Sequence, residues 1–391
     1  MVLPVVLPVV LPVVLPVVLP VVLAVPPAIA PPDVFVVALS AVLAVASPGA
    51  LLVVRPELLA ELLADLLAAA PPAAPRVIAA HLLGGLAWLG ARAHWVMPGG
   101  ILLALLVPEL SDLLRPALPA LLCLVLGLSM ARLDLREALG AAAARAGRLA
   151  GLTLLLMPVW AVMLWLLGAA LPPEWRALLV YTAMAPPIAS AAGLAFMMGL
   201  NARLALELTV LAMAVTPLLG PVMIALLVEA APAIGPGLLA GRLFLTILGG
   251  AVLAVAIRAL LGAPQIAAAG RSFDGVVALA MAAFFVSLFD GFVDLVRANP
   301  VQAAGLAGLA LALNTCTALI CAALARRGLP APDAGALGLL AGNRTVALYV
   351  AVLPPDPLLQ LYTAIYQIPM SVTTRLARWF QGPQRPAPRP R

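Results

Sequence analysis

Residues 341–348 read Ala341-Gly342-Asn343-Arg344-Thr345-Val346-Ala347-Leu348 and place an arginine inside a strongly apolar stretch of the chain. A charge at membrane depth costs about 2.5–3.5 kcal/mol on insertion scales, so such a residue is retained where it is paired or functional. The glycine and the polar residues around the arginine predict an interrupted helix. In transporters, helices interrupted at the bilayer midplane form the ligand site. This segment therefore predicts both a fold and a site.

The overall composition predicts a polytopic membrane protein. Of 391 residues, 65% are hydrophobic and 10% are charged, whereas soluble proteins average about 25% charged residues. The net charge of +6 is spread over loops and tail, which fits a lipid bilayer as partner and not a nucleic acid. Cys123, Cys316 and Cys321 lie in apolar runs without metal-ligand spacing, so we expect no metal and no cofactor.

The first 91 residues are predicted to be a low-complexity, poorly defined N-terminal region. Residues 1–23 repeat Leu-Pro-Val-Val, with prolines at positions 4, 8, 12, 16 and 20. A proline inside a helix removes a hydrogen bond and costs about 3 kcal/mol, so this repeat cannot form an ordinary spanning helix. We assign no chemistry to this region.

From about residue 92 the apolar segments become regular and predict ten transmembrane helices, some of them tilted or broken. Numbered span 1 to span 10, they are residues 92–108, 115–132, 146–171, 176–199, 203–231, 238–263, 275–296, 300–325, 334–353 and 358–380. The predicted fold class is thus an all-α polytopic membrane protein.

The distribution of arginines predicts the orientation of these spans. Fourteen arginines lie beside the ends of the even-numbered spans or in the tail: 132, 136, 145, 148, 203, 258, 271, 326, 327, 375, 378, 385, 389 and 391. Four lie on the opposite side, at 115, 176, 242 and 297. Because arginine-rich loops stay inside, both ends of the ten-span core are predicted to be cytoplasmic, in a cell membrane.

The ten spans divide into two five-helix halves, residues 92–231 and 232–380, followed by a basic cytoplasmic tail at 381–391. An odd number of spans in each half makes the halves inverted repeats. Residues 185–190 interrupt span 4, and residues 341–345 interrupt span 9. Corresponding interruptions in two inverted halves indicate a binding site at the midplane.

Several short motifs occur in a specific order over about residues 95–380. They are Leu118-Pro119 and Leu126-Gly127-Leu128-Ser129-Met130 in span 2, Met157-Pro158 in span 3, Pro186-Pro187-Ile188-Ala189-Ser190 in span 4, Leu204-Ala205-Leu206-Glu207-Leu208 and Thr216-Pro217 in span 5, and Gly342-Asn343 in span 9. In these motifs the chain resembles the bile acid:sodium symporter family, within the wider group that holds arsenite and auxin carriers. The resemblance implies a core of spans 3–5 and 8–10, with broken spans 4 and 9 crossing. It also implies a panel of spans 1, 2, 6 and 7, and a substrate cavity between panel and core.

Arg344 is the central candidate residue, and its role is open at this point. Its planar guanidinium offers five donors, which suit the carboxylate, sulfonate or phosphonate of a bound solute. The alternatives are a structural cation that satisfies free carbonyls of the crossed helices, or a side chain that reaches the water boundary.

The other candidate residues are polar or helix-breaking groups in the predicted core. Asn343 and Ser190 match the family's span-9 asparagine and span-4 serine, and Thr153 aligns with its span-3 glutamine. Pro186 and Pro187 remove two backbone donors from span 4. The set is completed by Thr345, Thr209, Asn314 and Gln367.

The chain departs from the family where sodium would bind. The family's span-9 motif Glu-x-x-x-Gln-Asn here reads Gly338-Leu339-Leu340-Ala341-Gly342-Asn343, and the span-4 Ser-Asn pair is Ser190-Ala191. A guanidinium 4 Å from a cation would repel it by roughly 4 kcal/mol at an effective dielectric near 20. We therefore predict sodium-independent transport, with Arg344 in place of the ion.

These observations predict a secondary transporter or uniporter of an organic anion or other small solute, in which panel and core rock to give alternating access. The alternative is a membrane sensor or scaffold that keeps the fold without transporting. An enzyme is not expected, because the chain has no His-Glu-x-x-His, Gly-x-Ser-x-Gly or phosphate-binding motif.

Overall fold

A computed structural model of the chain describes residues 74–132, 145–229 and 234–380. All regular elements in these ranges are helical, apart from one isolated bridge between residues 187 and 344. The predicted all-α class is confirmed for the described residues. The predicted low-complexity region up to residue 73 and the tail at 381–391 lie outside them.

The helices are numbered here in chain order. They are α1 (Ala74–Ala91), α2 (Ala93–Leu106), α3 (Pro108–Leu114), α4 (Leu118–Ala131), α5 (Ala146–Leu154), α6 (Trp160–Leu167), α7 (Pro173–Met184), α8 (Ala191–Met197), α9 (Ala202–Leu227), α10 (Pro236–Leu261), α11 (Ala263–Ala268), α12 (Gly270–Leu288), α13 (Phe292–Ala298), α14 (Pro300–Leu311), α15 (Thr317–Ala325), α16 (Ala331–Gly342), α17 (Ala347–Val352) and α18 (Pro357–Phe380).

Within the part of the chain that the structure describes, six helical segments are long and apolar enough to cross a membrane, which indicates an integral membrane protein. They are Pro108–Ala131, Ala146–Leu167, Ala202–Leu227, Pro236–Leu261, Gly270–Ala298 and Pro300–Ala325. The other four predicted spans coincide with the 14-residue α2, the short pairs α7–α8 and α16–α17, and α18.

The described helices belong to two compact units. The first contains residues 74–132 and 241–294, and the second contains residues 145–229, 234–240 and 295–380.

In the first unit, α1 packs closely against α12. A Cβ on Gly275 would collide with the backbone oxygen of Leu86, and the Ser272 hydroxyl donates to the Leu83 carbonyl over 3.1 Å. Small residues permit this approach between membrane helices. The N-terminal region predicted from the sequence to be poorly defined includes α1, but the second half of this helix packs against α12 in the first unit.

The second unit contains two interrupted helices, as the sequence predicted. Residues 185–190 separate α7 from α8, and residues 343–346 separate α16 from α17. Most of these residues are buried. Since the two interruptions contact each other, we call them together the crossing.

Two other helices of the second unit contain a π-helical segment. Leu155–Val159 lies between α5 and α6, and Ala312–Cys316 lies between α14 and α15. π segments are rare and frequently occur at functional sites. Both segments contribute polar contacts to the crossing, as described below.

Candidate functional site

The two interruptions of the crossing are called the break after α7 (residues 185–190) and the break after α16 (residues 343–346). The two breaks are joined by backbone hydrogen bonds. The two segments run antiparallel where Pro187 and Arg344 form a bridge. The Ile188 N–H donates to the Asn343 carbonyl over 3.1 Å, and the Thr345 N–H donates to the Pro186 carbonyl over 2.8 Å. Backbone groups that leave their own helix are thus satisfied by the opposite break, as burial in an apolar medium requires.

Two prolines end α7. Pro186 and Pro187 have no N–H, so they cannot continue the helical hydrogen-bond pattern of the preceding turn. The residue before them, Ala185, is extended, with φ −67° and ψ 139°, as expected for a residue that precedes proline. The break therefore follows directly from the sequence.

The end of α16 is fixed by a close contact with the second π segment. A Cβ on Gly342 would collide with the backbone oxygen of Asn314 and would lie 2.8 Å from the Cβ of Ala318. Asn343 then turns to an extended conformation, with φ −114° and ψ 94°. Glycine is needed here because two backbones approach each other directly.

Side chains of neighbouring helices donate to carbonyls at both helix ends. The Tyr349 hydroxyl donates to the Met184 carbonyl over 3.2 Å. The Gly342 carbonyl accepts from Asn314 Nδ2 over 2.5 Å and from the Tyr366 hydroxyl over 2.6 Å. A buried carbonyl that loses its donor costs roughly 1–3 kcal/mol, so these contacts stabilise the breaks.

The guanidinium of Arg344 connects three segments of the backbone. Nε donates to Ala341 O over 3.2 Å, Nη1 donates to Ala185 O over 3.1 Å, and Nη2 donates to Leu156 O over 2.6 Å. These carbonyls belong to the last turn of α16, the break after α7 and the first π segment. The Arg344 side chain is fully buried, with a residue exposure of 1%.

This geometry fits the structural cation better than the other two roles open for Arg344. Among the described residues, no carboxylate lies within ion-pairing distance of its guanidinium. The positive charge instead lies at the carboxyl ends of α7 and α16, where helix dipoles place negative charge. Burial excludes the third interpretation, a side chain that extends to water.

Some of the other predicted site residues also meet at the crossing. Asn343 Nδ2 donates to Leu339 O over 2.9 Å, and the Thr345 hydroxyl donates to Pro187 O over 3.3 Å. With Asn314, Pro186 and Arg344, these residues form one hydrogen-bonded cluster. In this cluster, side-chain and backbone donors both bind backbone carbonyls.

Four predicted site residues make no hydrogen bond to this cluster. Ser190 is exposed and does not cap α8. Thr153 and Thr209 are buried, and their hydroxyls have no hydrogen-bond partner among the residues that the structure describes. Gln367 Nε2 donates to Thr363 O within its own helix, over 3.4 Å. Their assignment to the site stays a prediction.

Sequence reasoning missed two contributors to the cluster. Tyr349 carried a usable signal, since a tyrosine in an apolar segment needs a partner for its hydroxyl. The Leu156 carbonyl could have been suspected from Met157-Pro158, because proline disturbs the hydrogen bonds of the preceding turn. The π segment at Ala312–Cys316 has no proline and gave no such signal.

A second polar cluster lies where α5, α9 and α16 begin. Buried Glu207 pairs with Arg145, and it pairs over 3.1 Å with Arg203, which lies four residues before it in the chain. Arg148 pairs with Asp333 over 3.1 Å. Within the described ranges, no group of three or more His, Cys, Asp or Glu side chains could hold a metal ion.

Comparison with models of known protein families finds no match to this chain, and a search of curated proteins finds none either. The resemblance to bile acid:sodium symporters therefore stays a prediction from the motifs.

Proposed function

We propose that this protein is a secondary transporter or uniporter that carries an organic anion or another small solute by alternating access, without sodium. The observation that supports this proposal best is the buried Arg344 guanidinium between the two breaks. Broken helices that meet inside a membrane protein are typical of transporters, where they form the ligand site. A fixed cation at this position would take the place of a bound metal ion.

The proposal includes ten transmembrane helices arranged as two inverted five-helix repeats. Two recurrences support this arrangement. Predicted spans 4 and 9 are both interrupted, and predicted spans 3 and 8 both contain a π segment. Each pair occupies the same position in its half of five spans, as internal repeats of transporters do.

The absence of sodium coupling can be tested by uptake into proteoliposomes. Sodium is replaced by choline at constant pH and membrane potential, and the uptake of a panel of organic solutes is compared. We expect the same rate in both, because Arg344 would repel a second cation. A drop of tenfold or more without sodium, or a saturable dependence on it, would contradict the proposal.

The proposed topology can be tested with single cysteines at either end of the α16–α17 pair. Gly328→Cys and Pro355→Cys lie at exposed positions just before and just after that pair. In a background without the three native cysteines, an impermeant thiol reagent should label them from opposite sides of the membrane. Labelling of both from one side would rule out a span at residues 331–352 and the inverted repeat with it.

The second candidate function is a membrane sensor or scaffold that does not transport. It is favoured by the same guanidinium, because a cluster that satisfies its own backbone would suit a static fold equally well. Uptake of any solute above the level of empty liposomes separates the two candidates.

A further inference from the structure

Hydrogen-bond donors and acceptors are not balanced at the crossing. Nine side-chain donor atoms described there donate to backbone carbonyls. They are Arg344 Nε, Nη1 and Nη2, Asn314 Nδ2, Asn343 Nδ2, and the hydroxyls of Thr317, Thr345, Tyr349 and Tyr366. The reason is that interrupted helices leave carbonyls without their usual donors, and the prolines remove donors further.

Two buried acceptors in this cluster have no hydrogen-bond partner among the described residues. They are the side-chain oxygens of Asn314 and Asn343, Oδ1 in both residues. The orientation of each amide is fixed by chemistry, since its other end faces a carbonyl and must therefore be the NH₂ group. Both NH₂ groups donate to the last turn of α16, at Gly342 and Leu339.

An anion would be poorly matched to this arrangement. It would be attracted by the charge of Arg344, yet three of the five N–H groups of that side chain already donate to carbonyls, and one remains on each of Nη1 and Nη2. At contact it would also meet the Oδ1 acceptors of Asn314 and Asn343, and burying a charge with few donors is costly. A cation is disfavoured by the same guanidinium. A neutral solute with N–H or O–H groups carries the donors that these two oxygens accept.

We propose, on the basis of the transport function above, that the carried solute is a neutral hydrogen-bond donor recognised by Asn314 Oδ1 and Asn343 Oδ1. Arg344 then holds the crossing together and does not contact the solute. Loss of one such acceptor from a buried contact corresponds to roughly a tenfold loss of affinity. The hydroxyls of Thr153 and Thr209, which have no partner among the described residues, can donate or accept a hydrogen bond, so they do not discriminate between an anionic and a neutral solute.

The test uses pairs of small molecules that share a skeleton and differ in one group: nicotinamide and nicotinate, benzamide and benzoate, malonamide and malonate. Each is added to the purified full-length protein in a thermal-shift assay, and each is then offered to proteoliposomes at pH 7. We expect the amides to raise the melting temperature and to be taken up. We expect the acids to be weaker by about tenfold or more.

Two variants locate the effect. Asn343→Ala and Asn314→Ala should each weaken amide binding about tenfold. Both variants should fold, because each affected carbonyl retains another donor. In Asn343→Ala, Leu339 O still accepts from the backbone N–H of residue 343. In Asn314→Ala, Gly342 O still accepts from the Tyr366 hydroxyl. Asn299→Ala is the matched control, since Asn299 is an N-cap whose side chain accepts from Gln302 N; it should leave amide binding unchanged.

Each outcome decides the proposal. Preference for the acids, or amide binding that survives both asparagine variants, would overturn the inference while leaving transport itself intact. If no amide is taken up or shifts the melting temperature, the inference fails, and uptake of any other solute above the level of empty liposomes decides the transport function separately.

Discussion

The two breaks of the crossing solve the same problem with different residues. The break after α7 contains Pro186 and Pro187, which have no backbone N–H, and it has no charged group. The break after α16 contains Asn343 and Arg344, whose side chains donate to carbonyls on both sides. One break creates unsatisfied carbonyls and the other supplies donors for them. Neither break would be stable in a membrane without the other.

This difference changes how a charged residue inside a membrane span is interpreted. Such a residue is by default assigned to ligand or ion binding. In Arg344 the charge serves the backbone, because three carbonyls from separate segments converge on one planar group. The donor-rich break should therefore be far more sensitive to substitution than the proline-rich one.

Loss of Arg344 should have the largest effect on the crossing. Hydrogen bonds from a charged donor contribute about 1.5–3 kcal/mol each. The neutral amide of Arg344→Gln cannot replace all three of these bonds. We expect a loss of about 3 kcal/mol or more in the free energy of unfolding, together with loss of transport. Denaturant titration in detergent measures the first effect, and uptake into proteoliposomes measures the second.

Arg344→Lys serves as the companion variant. It keeps the charge and three donors but not the planar fork, so a structural cation should survive it in part and a two-point anion site should not. Full stability and transport in Arg344→Gln would remove this residue from the proposed site.

Gly342→Ala should have the next largest effect. The added Cβ would collide with the backbone at Asn314 and push α16 away from its neighbour, at a cost of about 1–3 kcal/mol. The matched control is Gly193→Ala in α8, where a Cβ meets nothing within 4 Å. That variant should be neutral or stabilise by up to about 1 kcal/mol, because alanine favours helix. Equal melting temperatures for the two variants would contradict the close packing described here.

The smallest effects are expected from two tyrosine hydroxyls, and they should be unequal. In Tyr349→Phe, Met184 O loses the hydroxyl donor that takes the place of a missing backbone N–H. The free energy of unfolding should therefore fall by about 1–2 kcal/mol. Tyr366→Phe should cost less, about 0.5–1 kcal/mol, because Gly342 O retains Asn314 Nδ2. Melting curves of both variants test the order, and the reverse order would show that the carbonyls are satisfied in another way.

Local features of the crossing could be predicted from the sequence because their causes are local. Pro186-Pro187 removes two donors wherever it occurs in a helix, and Gly342-Asn343-Arg344 is polar within an apolar run. The contacts between the breaks could not be predicted in this way. Which carbonyls Arg344 reaches depends on packing between segments that are distant in sequence, and Leu156 O became one of them through a π segment.

The same limit explains the candidates that did not join the cluster. Gln367 is a polar residue at a suitable position along its helix, but its side chain donates within that helix, and Ser190 lies in the break itself with an exposed side chain. The sequence predicts where along a helix a polar residue lies more reliably than it predicts the hydrogen-bond partner of its side chain.

The long reach of Arg344 also determines the order in which the chain can be completed. The Ala185 carbonyl receives its donor from a residue that lies 159 positions later in the chain. At a synthesis rate of about 5–20 residues per second, the end of α7 exists for roughly 8–30 s before Arg344 has been made. During that interval its carbonyls need water or another partner, since an unsatisfied group in the bilayer costs several kcal/mol. The end of α7 therefore cannot reach its final hydrogen-bonded form until Arg344 has been synthesised.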